Sequence, residues 1–205
     1  MSWALVFTLI SLMSGISVAG QSRELPRDEF FGLLRKAGAA TDAVPHRSTT
    51  TTRSFEGGVA KLDQIQTREA LPNGNLRLIQ KSGEEIIEVI TVHNKNFQRD
   101  NGGKWRKVNT PENVMLGRTI SGPYTSEYST SQDKVNGQRV IVLTWSILLG
   151  NDQFSETKTF VASNGRIVRE ESRGGSVDEQ KTVTWDEVVV YDYNVGSLII
   201  RAPIR

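Results

Sequence analysis

Turn dipeptides recur along most of this chain, and they constrain the fold more than any other feature. Asn-Gly occurs at 73–74, 101–102, 136–137 and 164–165, and Ser82-Gly83 and Gly174-Gly175 are further turn candidates. Asn-Gly favours the two-residue hairpin turns whose central residues need positive φ. The runs between these turns alternate with a period of two, as in LRLIQ and QRVIVLTWSILL. This pattern predicts consecutive hairpins, and therefore an antiparallel sheet.

About a dozen strands follow from this pattern, beginning with the threonine-rich run RSTTTTRSFE. We expect SLIIRAP to be the last strand, paired with the strand that ends in YDY, with Pro203 blunting its edge. A single antiparallel sheet of this width must curl or close. The sequence therefore predicts a mainly β, α+β chain.

A different period precedes the sheet, in LPRDEFFGLLRKAGAAT. Phe30, Phe31 and Leu34 recur at spacings of three and four, which indicates an amphipathic helix, and Pro26 suits its first position. We expect this apolar stripe to be buried against the sheet. A second, short helix is predicted from Pro111 to Leu116, with Thr110 as its cap.

The first 22 residues carry no charged side chain. An apolar stretch from Trp3 to Met13 is followed by small residues up to Ala19, which predicts a signal peptide over residues 1–19 and a single domain over 20–205. The chain is then expected to be periplasmic or secreted. No Lys or Arg precedes the apolar stretch, so an uncleaved anchor and a misplaced start codon stay open. With no cysteine, we expect no disulfide and do not expect the chain to be a lipoprotein.

Composition and motifs argue against several classes of function. The net charge is +2, with basic residues spread along the chain, so nucleic acid is not expected as a partner. His46 and His93 are the only histidines, and no HExxH or nucleotide-binding motif occurs, so no metal or cofactor is expected. We expect no enzyme activity; a hydrolase would need a polar cluster around His93, Glu88 and Arg77.

Several strands carry large apolar side chains at alternate positions. Two readings stay open, because these faces can fill a core under the helix or line a cavity for an apolar ligand. The candidate lining residues are Ile86, Ile90, Val92, Ile141, Leu143, Trp145, Phe160 and Trp185.

Two stretches carry a family resemblance. The run from LPNGN to NGGKW holds Pro72, Arg77 and Trp105, and the ending YDYNVGSLIIRAPI holds Tyr191 and Pro203. Together with the order of helix and meanders, they resemble periplasmic lipoprotein carriers of the Lol type, the outer-membrane lipoprotein-sorting proteins, and the related lipid-carrying lipoproteins.

This resemblance implies an incomplete β-barrel with the two helices packed in its open side. It further implies an apolar hollow for an acyl chain, with a helix acting as a lid through Phe30, Phe31 and Leu34. The expected partners are a lipid or an acylated lipoprotein and a membrane-bound donor or acceptor protein, with the carrier itself a monomer. The alternative is an extracytoplasmic sensor or protein-interaction module of the same fold with a filled hollow.

Overall fold

A computed structural model describes residues 22–109, 124–149, 153–178 and 181–204. Its one helix, α1, spans Arg27–Asp42. The strands are β1 Arg23–Glu24, β2 His46–Glu56, β3 Val59–Ala70, β4 Leu76–Ser82, β5 Glu85–Val92, β6 Lys95–Asp100, β7 Arg106–Val108, β8 Thr125–Val135, β9 Gln138–Leu149, β10 Gln153–Ala162, β11 Ile167–Asp178 and β12 Lys181–Asp192. The described residues thus form a mainly β fold, as predicted.

All twelve strands belong to one antiparallel sheet, in the order β1-β8-β9-β10-β11-β12-β2-β3-β4-β5-β6-β7. Two meanders, β2 to β7 and β8 to β12, join where β12 pairs with β2. The sheet is open, with β1 and β7 at its edges, and this matches the expected incomplete barrel with a helix. The predicted signal peptide and the predicted helix from Pro111 to Leu116 lie outside the described residues.

Two of the four Asn-Gly turns have positive φ at both central residues, as the sequence predicts, and at 73–74 and 164–165 only the glycine has positive φ. Asn136 and Gly137 have φ of 50° and 79°, and Asn101 and Gly102 have φ of 47° and 71°. Asparagine tolerates the left-handed region better than most residues, and glycine enters it without steric cost. These turns connect β8 to β9 and β6 to β7.

The prediction of a turn at Gly174-Gly175 is wrong, because β11 continues through both residues to Asp178. A Cβ atom on Gly174 would lie 2.8 Å from the indole ring of Trp185 and 2.8 Å from the carbonyl oxygen of Phe154. Trp185 is the β12 partner of Gly174. The glycine therefore allows close approach of a large side chain within the sheet.

The prediction of a last strand at SLIIRAP is also wrong, because residues 193–204 contain no strand. The place beside β12 is already taken, since β12 pairs with β11 on one side and β2 on the other. The apolar side chains of this segment instead cover the sheet. Leu198 and Ile200 pack against Ile90 and Val92.

The N-terminal helix and its packing agree with the sequence prediction. The Pro26 carbonyl accepts the first helical hydrogen bond, from the Phe30 N–H at 3.0 Å. Phe30 and Ala37 are buried against Leu143 and Val161, and Phe31 and Leu34 pack at the margin of the same cluster. Among the described residues, no helix is both long enough and apolar enough to span a bilayer.

Candidate functional site

The strand register separates the side chains into two faces of the sheet. Cross-strand partners share a face, and residues two apart along a strand do so as well. Starting from Leu143 under α1, the register identifies the helix-facing row as Leu143, Thr159, Glu170, Val189, Thr50, Gln66, Gln80 and Ile87. The opposite side is called the outer face below.

The eight residues predicted to line one hollow lie on both faces. Four face the helix side: Ile141, Leu143, Trp145 and Trp185. The other four are on the outer face: Ile86, Ile90, Val92 and Phe160. The expectation of a single lining set is therefore corrected. Alternation shows which residues share a face within one strand, but it does not show which face of each strand is turned inward.

The outer-face residues belong to other parts of the structure. Ile90 and Val92 lie under the C-terminal segment, where they contact Ile200. Phe160 forms a separate cluster with Val140 and Val142. Apolar side chains on both faces are expected where a wide sheet is covered on one side by a helix and on the other by a returning chain segment.

An aromatic cluster joins α1 to the sheet. The ring centroid of Phe31 lies 5.4 Å from Phe30, 5.6 Å from Tyr128 and 5.6 Å from Trp145. The Phe31 ring meets those of Phe30 and Trp145 edge to face at 89° and 78°. Such pairs add about 0.5–1.5 kcal/mol each beyond area burial. Phe30, Phe31 and Leu34 thus hold α1 on the sheet, and their action as a lid stays a prediction.

Polar side chains cross the middle of the helix-facing side. The row that begins with Tyr128 and Trp145 continues through Thr157, Ser172, Glu187, Thr52 and Gln64. The Thr157 and Ser172 hydroxyl oxygens are 3.1 Å apart, and the Thr52 hydroxyl donates to the Glu187 carboxylate at 2.9 Å. The apolar cluster under α1 and the one formed by Leu78, Ile87 and Val89 are separate. Most of the residues between Leu143 and Ile87 in their shared row are polar: Thr159, Glu170, Thr50, Gln66 and Gln80.

An apolar groove lies beside α1, on the β1 side of the sheet. Its volume is about 720 Å³. Leu33 and Ala37 form the helix wall, and Ile141, Leu143 and Val161 form the floor. Leu33 is 37% exposed and Ile141 is 51% exposed, so two apolar side chains face solvent across the opening.

The remaining groove wall is mostly polar or charged, apart from Ala162 and Gly165. It consists of Arg23, Lys36, Thr130, Ser131, Gln132, Ala162, Ser163 and Gly165. A second recess of 480 Å³ lies on the outer face, where Val142 and Phe160 are surrounded by charged residues that include Lys158, Arg169 and Glu171. The groove beside α1 has the larger apolar floor and is the better candidate for an apolar ligand.

Sequence reasoning found Ile141 and Leu143 but missed most of the groove. Leu33 and Lys36 lie beside the predicted helix stripe, at positions three apart that share one helix face with Ala37. The helical period could have placed them together. The β8 residues carry no such signal, because their strand is polar on both faces.

A hydrogen-bonded network ties the end of α1 to the sheet. The Tyr191 hydroxyl donates to Glu170 at 2.7 Å, and burial, together with the Glu170 charge, raises the pKa of Tyr191 far above its usual value. Thr41 donates to the Ala37 carbonyl and accepts from the Ile167 N–H, each at 2.9 Å. Burial also raises the pKa of Tyr193, whose hydroxyl bonds to Thr41.

The other residues of the family resemblance lie away from the groove. Arg77 forms ion pairs with Glu69 and Glu88, and Trp105 packs on the C-terminal cluster with the Arg99 guanidinium 4.8 Å above its ring. Pro72 is exposed in the β3–β4 turn, and Pro203 is partly buried near the chain end. Arg77 and Trp105 thus make their contacts outside the groove.

His93, Glu88 and Arg77 do not form the polar cluster that a hydrolase would need. The Glu88 carboxylate is occupied by Arg77 at 3.3 Å and Arg99 at 2.6 Å, and His93 lies exposed in the β5–β6 turn. His46 is buried between the rings of Tyr191 and Tyr193. Within the described ranges, no three His, Cys, Asp or Glu side chains are grouped so that they could hold a metal ion.

Comparison with known proteins finds similarity in solved structures. No protein-family model matches this chain, and no curated protein matches its sequence. LprF from Mycobacterium bovis is 11% identical at a TM-score of 0.39, over 88% of this chain and 99% of that one. A putative outer membrane lipoprotein-sorting protein domain from Vibrio parahaemolyticus is 8% identical at 0.36, over 83% and 94%.

A LolA superfamily protein from Nitrosomonas europaea is 9% identical at a TM-score of 0.36, over 79% of this chain and 90% of that one. The second and third of these proteins are named for lipoprotein sorting and for the LolA superfamily. At these identities and TM-scores the likeness concerns the fold, and no function is taken from it.

Proposed function

We propose that this chain is an exported carrier that holds the acyl chain of a lipid or of a lipoprotein, and that the acyl chain lies in the groove beside α1. The observation that carries the proposal is the groove itself, with Leu143 and Val161 in its floor and the exposed side chains of Leu33 and Ile141 at its opening. A volume of 720 Å³ falls within the range of about 300–1,000 Å³ that is typical of small-molecule sites.

The energetics favour an extended apolar ligand. Each buried CH₂ group contributes about 0.8 kcal/mol, so an acyl chain that covers Leu33 and Ile141 gains affinity along its length. The polar row through Thr157 and Ser172 bounds the apolar surface on the far side. We therefore place the ligand between α1 and strands β8 to β10, and away from the centre of the sheet.

The test begins with what the protein carries. Native mass spectrometry and solvent extraction of the purified protein are expected to recover acyl-containing molecules. A ligand-free protein is expected to bind an apolar fluorescent probe that dodecanol displaces. Protein that yields no acyl compound and binds no apolar probe would refute the proposal.

A matched pair of variants locates the site. Ile141→Asp introduces a carboxylate into the groove, and probe affinity is expected to fall about tenfold or more, because the charge must be desolvated when the ligand binds. Ile65→Asp is the control, since Ile65 is 47% exposed on the outer face of β3. Equal loss in both variants, or in neither, would place the ligand elsewhere.

A further inference from the structure

The groove wall carries positive charge as well as apolar surface. Arg23 and Lys36 are its charged lining residues, and the described residues that line it include no Asp or Glu. An apolar groove with only cationic groups at its wall complements a ligand that is apolar along its length and negative at its head.

Lys36 is the better placed of the two cations. It belongs to the same helix face as Leu33 and Ala37, which form the apolar helix wall. Arg23 forms an ion pair with Glu29 at 2.8 Å. The Lys36 side chain makes no hydrogen bond or ion pair with any residue that the structure describes, so its ammonium group can meet a ligand without losing a partner.

We infer that the groove selects anionic amphiphiles, and that Lys36 pairs with the carboxylate or phosphate head while the chain covers Ile141 and Leu143. This inference rests on the proposed function, because it assigns a class of ligand to the same groove. The shared chemistry is a single-chain ligand with an anionic head, and a fatty acid and a phosphate-bearing lipid would both supply it.

The experiment compares four probes that have the same twelve-carbon tail and different heads: dodecanoate, dodecyl phosphate, dodecanol and dodecyltrimethylammonium. The affinity of each is measured by its displacement of a bound apolar fluorescent dye from the full-length protein at low ionic strength. The two anions are expected to bind more tightly than dodecanol, and the cation more weakly. The stronger of the two anions identifies the carboxylate or the phosphate as the preferred head.

Lys36→Gln is expected to weaken both anions about two- to fivefold, the range of an exposed ion pair, and to leave dodecanol unchanged. Lys61→Gln is the control, because Lys61 is exposed on β3 and does not line the groove. Added salt should reduce the preference for anions in the wild type and have less effect in Lys36→Gln.

The outcomes separate the two proposals. Equal affinity for all four probes, or tighter binding of the cation, would overturn the preference for anions while acyl binding stands. Loss of anion affinity in Lys61→Gln equal to that in Lys36→Gln would overturn the role of Lys36. Failure of every probe, dodecanol included, would instead refute the proposed function.

Discussion

Replacement of Gly174 by alanine tests the interior packing of the sheet. The new Cβ atom would lie 2.8 Å from the Phe154 carbonyl oxygen and from two carbons of the Trp185 indole ring. Ordinary contact begins near 3.4 Å, so these neighbours would have to move by about 0.6 Å. The Phe154 carbonyl belongs to β10, which is paired along its length with β9 and β11 and cannot move alone.

The expected magnitude combines two opposing effects. Overpacking of this kind costs about 1–3 kcal/mol. Replacing glycine by alanine recovers about 0.5–1 kcal/mol, because the unfolded chain loses freedom. We expect Gly174→Ala to lower the free energy of unfolding by about 1–2 kcal/mol, and the Tm by about 2–8 °C for a chain of this length.

Urea unfolding followed by tryptophan fluorescence measures the effect, and near-UV circular dichroism reports displacement of the Trp185 ring. Gly38→Ala is the control, because a Cβ on Gly38 in α1 meets nothing within 4 Å. The control is expected to gain about 0.5–1 kcal/mol. A Gly174→Ala variant as stable as the wild type would refute the close approach of Trp185.

Three further predictions concern the contacts that hold the helix and the C-terminal segment. Thr41→Val leaves the buried Ile167 N–H without its acceptor, and should cost about 1–3 kcal/mol with faster amide exchange at Ile167. The fold raises the pKa of Tyr191 above its unfolded value near 10, so its contribution to the free energy of unfolding is fully present below pH 10 and is lost as the pH rises above that value. Tyr191→Phe should reduce this alkaline loss of stability, measured by urea unfolding at a series of pH values. Ile200→Ala should cost about 2 kcal/mol and should speed proteolysis of the C-terminal segment, because Ile200 is buried on Ile90.

Local signals in the sequence predicted most individual elements. The spacing of Phe30, Phe31 and Leu34 predicted α1, and the Asn-Gly pairs predicted the hairpins, because both depend on residues close together in the chain. The same signals failed at Gly174, where a glycine permits ring packing from the next strand. They also failed at Leu198 and Ile200, which are apolar because they cover the sheet.

The tertiary structure decided which apolar surface belongs to the groove. Ile90 and Ile141 both lie in apolar strand sequences, yet they are on opposite faces of the sheet. The face of each strand depends on pairings such as β12 with β2, which joins residues more than a hundred positions apart.

The groove depends on the same long-range packing, because Leu33 and Lys36 meet Ile141 only when α1 lies on β8 to β10. By itself the sequence determined the helix, the hairpin turns and the antiparallel class of the sheet, since short-range sterics and periodicity control them. Which residues share the helix-facing side, and which of them line the groove, depends on contacts between segments that are distant in sequence. A local sequence pattern carries no information about those contacts.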